Sequence, residues 1–328
     1  MKVGIDARSL RSGPAGVATY VGNLLRRIDI LDGISTSFPS NNLLWNLLRV
    51  PLEQVRRGWD LYHGPGYTAP PVSFRPVLLS VHDVSYLSRP EFYPYRLDPL
   101  RKAFYLRSIR RADRILVPSR FTAEELQAAV PEVRERVAVI PLGVSEEFYP
   151  DPQMARQVRR KYDLPDRFVL HVGDIHPRRN CDRILQASRR LGLDVIFVGK
   201  LLTPGILPPD EVKILSGLDE ADLRGLYSAA ALLACASEYE GFGLPIVEAM
   251  ACGLPVVAAN RSCIPEVSRG AALLVEPEVD ALAQGFERAI RDVESYREAG
   301  RIRARELSWE STAQRTFQCY QQLMSLRS

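Results

Sequence analysis

The chain has 328 residues, 46% of them hydrophobic and 25% charged, and 43 basic against 39 acidic side chains give a net charge of +4. At about 100–200 residues per domain this is chain for roughly two domains, and the composition excludes a disordered, collagen-like or coiled-coil protein. So small a positive excess does not indicate a dedicated nucleic-acid binder.

The excess lies in the first half: residues 1–150 carry 20 basic and 15 acidic side chains, residues 151–328 carry 23 and 24. It is nearly all Arg, which grips phosphate with paired hydrogen bonds but is equally what a GC-rich genome or a warm habitat supplies. The cysteines, at 181, 235, 252, 263 and 319, form no CxxC or zinc-knuckle spacing. An odd, scattered set suits a reduced cytoplasm. Residues 1–10 contain no apolar leader, and no apolar run approaches the ~18 residues a bilayer span needs.

In chain order, residues 2–7 read as a strand and residues 11–15 as a loop of small residues. Val17, Tyr20, Val21, Leu24, Leu25 and Ile28 then mark an amphipathic helix. Residues 32–42 are polar and read as loop, and the whole stretch 32–58 looks loop-like. Strands are expected at 59–63, 77–81, 114–118 and 137–141, with a helix over 100–112. Pro150 and Pro152 suggest a linker. A second series follows: strands at 168–172, 195–198, 232–236, around Val256–Val257 and at 271–275, with helices over 181–191, from Pro245 and at the C-terminus. Short apolar strands alternating with helices indicate parallel sheets, here two doubly wound domains, 1–150 and 151–308.

Most chemistry lies in Ser237–Pro255, SEYEGFGLPIVEAMACGLP. Gly241 and Gly243 let the backbone approach a ligand, and the helix that opens at Pro245 presents unpaired N–H groups suited to an anion. Glu240 falls in the loop and Glu248 one turn into the helix. On charge alone they could be a capping acid and a surface acid.

The spacing Glu-x7-Glu, with EGFGLP and then EAMACGLPVV, resembles the signature of the retaining glycosyltransferases of family 4. The resemblance implies the GT-B fold: two Rossmann-like α/β domains facing a central cleft, the second binding the donor. A C-terminal helix over about 309–328 is expected to pack back onto the first. By resemblance Glu248 grips the ribose hydroxyls of a nucleotide, Glu240 lies by the donor sugar, and the backbone of Gly241, Phe242, Gly243 and Leu244 faces sugar and diphosphate. In HVGDIHPRRN, Gly173 leads to Arg178 and Arg179, the candidates for neutralising the diphosphate, although an Arg pair is often plain surface. Asp174 stands where some members carry a further Arg. Lys200 is a weaker candidate or a surface lysine. Gly217 and Leu218, in SGLDEADL, resemble the segment bordering the base. Gly16, in GVATY, resembles the loop beneath the donor phosphates, or is a simple helix entry. His82, in SVHDVSYL, resembles the His near the reacting sugar. His63 could have a role or be a loop residue, and Ser119, at a turn from strand to helix, reads as an N-cap or a domain-interface residue.

There is no Asp-x-Asp pair, so no metal and no cofactor are expected, and leaving-group charge falls to Arg178, Arg179 and the helix start. The resemblance implies transfer of a hexosyl group from a nucleotide-diphosphate sugar, by front-face attack with retention. DIHPRRN and HGPGY resemble mannosyltransferases of bacterial polysaccharide assembly, which favours GDP-mannose over UDP-glucose. A glycan or lipid-linked acceptor is expected, without nucleic acid. Arg101, Lys102, Arg107, Arg110 and Arg111 on one helix could meet anionic lipid or be a solvated face. A non-catalytic nucleotide-sugar binder and a GT-B epimerase are the competing readings; Glu240, Glu248 and His82 are all present, which disfavours the first.

Overall fold

The computed structural model describes residues 1–11, 15–34, 45–92, 99–208 and 211–325. Two expected loops, 11–15 and 32–42, therefore fall largely outside the described residues. The chain forms two compact units, Met1–Gly143 with Trp309–Ser328, and Val144–Ser308. The first ends a few residues before the expected boundary at 150.

The N-terminal unit is built on six parallel strands: β1 (Val3–Asp6), β2 (Leu31–Ile34), β3 (Leu61–Gly64), β4 (Val77–Ser80), β5 (Arg114–Val117) and β6 (Val137–Val139), in the order β2-β1-β3-β4-β5-β6. Every residue of β3 and β4 is buried. That is why these strands read as short continuous apolar runs, as expected of a parallel sheet covered on both faces. The order changes direction between β1 and β3, the kind of switch point at which open α/β sheets leave a crevice beyond the carboxyl ends of their strands. The helix Trp309–Ser325 packs on this unit: Thr312 donates to the Pro141 carbonyl at 2.8 Å and Arg315 to the Val139 carbonyl at 2.8 Å. Ser119 caps the helix Arg120–Ala129, accepting from the Thr122 N–H at 3.1 Å.

The C-terminal unit repeats the plan with β7 (Phe168–Val172), β8 (Asp194–Val198), β9 (Lys213–Leu215), β10 (Leu232–Cys235), β11 (Val256–Ala259) and β12 (Leu273–Val275), in the order β12-β11-β10-β7-β8-β9. Its switch point lies between β7 and β10. Alternation along β7 divides the core: Phe168 and Leu170 join Tyr227, Ile246 and Met250 on one face, while Val169 joins Ile184, Phe197 and Phe286 on the other.

Two sequence expectations are corrected. Residues 32–58 are not a plain loop: Asp32 lies in β2, and Trp45–Arg49 and Val50–Arg57 are helical. Asp32 reads as polar because β2 is an edge strand, where Trp59 Nε1 at 2.8 Å and Arg57 Nη1 at 2.9 Å hold its carboxylate. The supposed linker at Pro150–Pro152 is a helix start: Asp151 accepts from the Gln153 and Met154 N–H groups and Pro152 opens the helix Pro152–Lys161.

Candidate active site

In the C-terminal unit the expected donor-side residues stand at the carboxyl ends of four parallel strands. Gly173 follows β7 directly, and Arg178 and Arg179 form the short turn Pro177–Arg179 beyond it. Lys200 follows β8, and Gly217 and Leu218 follow β9. Gly241–Gly243 lie between β10 and the helix Leu244–Ala251, which Leu244 opens.

Backbone geometry brings the first of these loops close. Gly173 has φ +140° and a Cβ there would stand 1.5 Å from Arg179 Nη1, so only glycine leaves room for the guanidinium against the strand end. A Cβ on Gly199 would likewise stand 2.3 Å from the Gly173 carbonyl oxygen. Asp174 occupies the place of a further arginine, but to a structural end: its carboxylate accepts from the Lys200 N–H at 3.0 Å and joins the β7 and β8 loops. The Lys200 side chain itself is exposed.

The arginine turn is tied to the Glu240 loop. Asn180, at φ +50°, donates to the Ala236 carbonyl at 2.9 Å and to Glu238 at 3.1 Å, and the Glu238 N–H donates to the Arg178 carbonyl at 2.8 Å. Arg179 Nη2 stands 3.5 Å from Glu240 Oε1, which also accepts from Ser237 Oγ at 2.9 Å. Burial works to raise the Glu240 carboxyl, yet Arg179, Arg178 and the Ser237 hydroxyl outweigh it and hold it below the usual carboxylate range. Glu240 is therefore ionised.

Glu248 is in the opposite condition. It lies one turn into the helix Leu244–Ala251, where Tyr227 Oη donates to Oε2 at 2.8 Å. Burial pushes its carboxyl up to about 7, against the Tyr227 hydrogen bond. The helix begins after Gly243, at φ +87° and with no side-chain cap; Pro245 has no N–H and the Ile246 N–H bonds the Gly243 carbonyl at 3.0 Å, so an acceptor at this end would meet the Leu244 N–H. Phe242 is buried beside it. Beneath the site His171, on β7, bonds the Ala234 carbonyl of β10 through Nδ1 at 3.1 Å, and Cys181 Sγ lies 3.7 Å from Nε2. Burial, aided by Arg179, takes this imidazole down to about 4, so it is neutral.

In the N-terminal unit Gly16 lies exposed in the first turn of the helix Ala15–Arg27, and His82 lies just past β4. Gly16 and His82 thus belong to this unit's own strand ends. His82 Nε2 bonds the Pro65 carbonyl at 2.8 Å, and Tyr20 meets its ring edge-on at 5.0 Å. Burial lowers its pKa. His63, which the sequence leaves open, is wholly buried: Nδ1 lies 2.7 Å from Tyr320 Oη and Nε2 2.7 Å from Ser80 Oγ, which is itself 3.0 Å from Tyr20 Oη. Burial takes His63 down to about 3. A cavity of about 10 Å³, room for about one water, is lined by Tyr20, Ser80 and His82 among others.

Sequence reasoning missed Tyr227, Ser237, Asn180 and His171 as parts of the C-terminal site, and Tyr20, Ser80 and Tyr320 as parts of the N-terminal one. Ser237, Asn180, His171, Tyr20 and Ser80 stood in segments whose pattern drew notice, but nothing there marked these side chains themselves, and Tyr227 stood in none. Among the described residues no three His, Cys, Asp or Glu side chains converge as a metal would require.

Two Rossmann-like units, one carrying paired carboxylates and arginines at its switch point, define a GT-B glycosyltransferase. Residues 155–306 match the family described as glycosyl transferases group 1, and residues 23–148 match glycosyltransferase family 4. The O-antigen chain mannosyltransferase B of Escherichia coli is 31% identical over 302 residues, covering 83% of this chain and 78% of that protein. The serotype-specific mannosyltransferase WbdA of Escherichia coli is 27% identical over 257 residues, 70% of this chain, and the chain spans only 32% of that longer protein. Among solved structures, sucrose-phosphate synthase from Thermosynechococcus elongatus has the same fold, with a TM-score of 0.81 at 21% identity over 99% of this chain and 100% of that one. The chain belongs to the group 1, family 4 glycosyltransferases, and it is a hexosyltransferase.

Proposed function

We propose that the protein transfers a mannosyl group from GDP-mannose to a hydroxyl of a glycan or lipid-linked acceptor in polysaccharide synthesis, with retention and without a metal ion. The observation that carries this reading is the ionised Glu240 held by Arg179 at the mouth of the β7–β10 switch point. The mannosyltransferase relatives support the choice of sugar.

In this reading Arg178, Arg179 and the helix start at Leu244 receive the diphosphate, with Lys200 at the rim. Glu248 accepts from the ribose hydroxyls, Gly217 and Leu218 border the base, and Glu240 with the backbone of Gly241–Leu244 faces the sugar. Gly16 serves the phosphates and His82 the reacting sugar. The bond from the sugar C1 to the β-phosphate oxygen breaks, a bond from C1 to the acceptor oxygen forms on the same face, and the acceptor proton passes to the departing phosphate. Charge developing on that phosphate meets preorganised cations and N–H groups, the kind of arrangement that supplies most of an enzyme's electrostatic stabilisation. The five cysteines are all free and buried, which suits the cytoplasm as the place of action.

A thermal-shift screen of GDP-mannose, GDP, UDP-glucose, UDP and ADP-glucose, with and without EDTA, tests this. A ligand at 100 times its dissociation constant adds about 2.7 kcal/mol of stability. A shift with the guanine ligands that EDTA leaves intact is expected, followed by an α-linked product from the α-linked donor. A shift with uridine ligands alone, or one abolished by EDTA, overturns the assignment.

A further inference from the structure

The helical stretch Trp45–Arg57 is turned the wrong way round for a helix on a globular protein, which normally buries its apolar stripe. Facing inward beside Val50 are Glu53, with no exposed surface, and Gln54, at 2%. Three arginines pair with Glu53: Arg57 Nε at 2.6 Å, Arg49 Nη2 at 2.8 Å and Arg56 Nη1 at 3.6 Å. Facing outward are Leu48, Leu52 and Val55, spaced i, i+4, i+7 on one side of the helix and 67%, 57% and 70% exposed.

A neighbouring loop extends this surface. Gln54 Nε2 donates to Ser73 Oγ at 2.7 Å, and the Phe74 N–H donates to Gln54 Oε1 at 3.2 Å. This fixes Val72 and Phe74, 56% and 65% exposed, along the flank of the helix. A cluster of large apolar side chains in water marks a contact surface. The charge around it identifies the contact. The only acid of the stretch, Glu53, is buried and paired with its arginines, so the stretch exposes the charges of Arg56 and Arg57, the latter also held by Asp32 at 2.9 Å, and the neighbouring loop adds Arg75. An apolar stripe flanked by exposed guanidinium groups fits the boundary between acyl chains and anionic headgroups.

The helix Pro99–Arg111, the basic helix that the sequence offers for this task, is built differently. Its one large exposed apolar side chain on the described surface is Leu100, and Arg110 is engaged by Glu132 at 2.6 Å.

We propose that Leu48, Leu52, Val55, Val72 and Phe74 form a peripheral membrane-docking face that inserts shallowly into anionic bilayers, with Arg56 and Arg75 at the headgroups. No helix among the described residues is long and apolar enough to cross a membrane, so the contact is in the plane of the interface. The proposal stands apart from the donor assignment and can fail without it.

The test is co-sedimentation of the full chain with phosphatidylglycerol–phosphatidylethanolamine vesicles and with pure phosphatidylcholine vesicles. The protein should partition onto the anionic vesicles, less so in high salt. The triple substitution Leu48→Gln, Leu52→Gln, Val55→Gln should lower that partition at least tenfold and leave the thermal midpoint and transfer to a soluble acceptor unchanged. Arg56→Gln with Arg75→Gln should lower it several-fold. Three results overturn the proposal: no partition of the unaltered protein, equal partition of the triple variant, or loss of partition only on changing Arg101 and Lys102. If light scattering finds a dimer that the triple variant turns into a monomer, a second copy covers this face, and the proposal is also overturned.

Discussion

In the C-terminal unit the strand ends at the switch point carry ionised groups, Glu240, Arg178 and Arg179, with the neutral His171 below. In the N-terminal unit the comparable strand ends carry one ion pair, Asp6 with Arg8 at 2.7 Å after β1, and otherwise neutral groups: the buried His63, the half-buried His82 and the hydroxyls of Tyr20, Ser80 and Tyr320. Both are parallel sheets of six strands, so the architecture does not account for the difference. It lies in the loops after the strands, as it should where function is grafted onto a shared fold. Arginines beside a buried carboxylate suit a diphosphate leaving group, and imidazoles with hydroxyls suit sugar hydroxyls that must be positioned without being ionised.

The largest effect that would sharpen this contrast is on Arg179. Replacing it with alanine should cut turnover by about 10²–10³-fold, the loss typical of removing one preorganised donor to a developing anion. Gly173→Ala should reproduce much of that loss, because its Cβ would occupy the place of the guanidinium. His82→Ala should depress turnover while leaving GDP affinity intact. Calorimetric titration of GDP into both variants checks the division: if His82→Ala weakens GDP as much as Arg179→Ala does, the comparison breaks.

Next in size is Glu248→Ala, which should weaken donor binding by about 10–100-fold, the worth of one or two hydrogen bonds to a charged acceptor. The loss should appear in the KM for the donor more than in kcat. A change confined to kcat would move Glu248 from binding to chemistry.

Smaller again is Tyr320→Phe. It leaves His63 Nδ1 buried without its partner and should cost about 1–3 kcal/mol of stability. GDP affinity should not change. An undiminished urea midpoint would show that the contact with the C-terminal helix contributes nothing to stability.

Much of this was legible in the sequence, for identifiable reasons. β7, β8, β10 and β11 announce themselves because strands covered on both faces must be apolar throughout. Two of the edge strands do not: Asp32 in β2 and Lys213 in β9 place charge where solvent reaches, and β2 passed as loop while β9 drew no assignment. The helix Val50–Arg57 was invisible because its apolar side chains face outward and its buried Glu53 is polar. At the site, Glu240, Glu248 and the glycines stand within one short segment whose spacing carries the signal. Tyr227 and Ser237 could not be found that way. Their roles come from hydrogen bonds to those carboxylates, and nothing in the sequence records a hydrogen bond from Tyr227 to Glu248, 21 positions away.

The finest test of the contrast is the pH dependence of each unit's stability. Burial takes His63 down to about 3 and His171 down to about 4, so unfolding at pH 6 takes up protons, and each His makes its unit more stable as pH rises from 6 to 8. Glu248 acts with the opposite sign. Its carboxyl is up at about 7 in the folded chain, so the folded state binds the proton more tightly and stability falls as pH rises through that range. Each effect is about 1 kcal/mol over those two pH units. The N-terminal unit holds His63 and His82, both depressed by burial, and should therefore gain stability from pH 6 to 8. In the C-terminal unit His171 and Glu248 oppose each other and the profile should be nearly flat. All three tryptophans, Trp45, Trp59 and Trp309, lie in the N-terminal unit, so urea midpoints followed by tryptophan fluorescence report on that unit alone. Hydrogen exchange of β7 and β10 reports on the other. Glu248→Gln should turn the flat profile into a rising one and leave the fluorescence midpoints where they were; equal slopes in both units before that substitution would show that the two crevices do not differ in charge state as described.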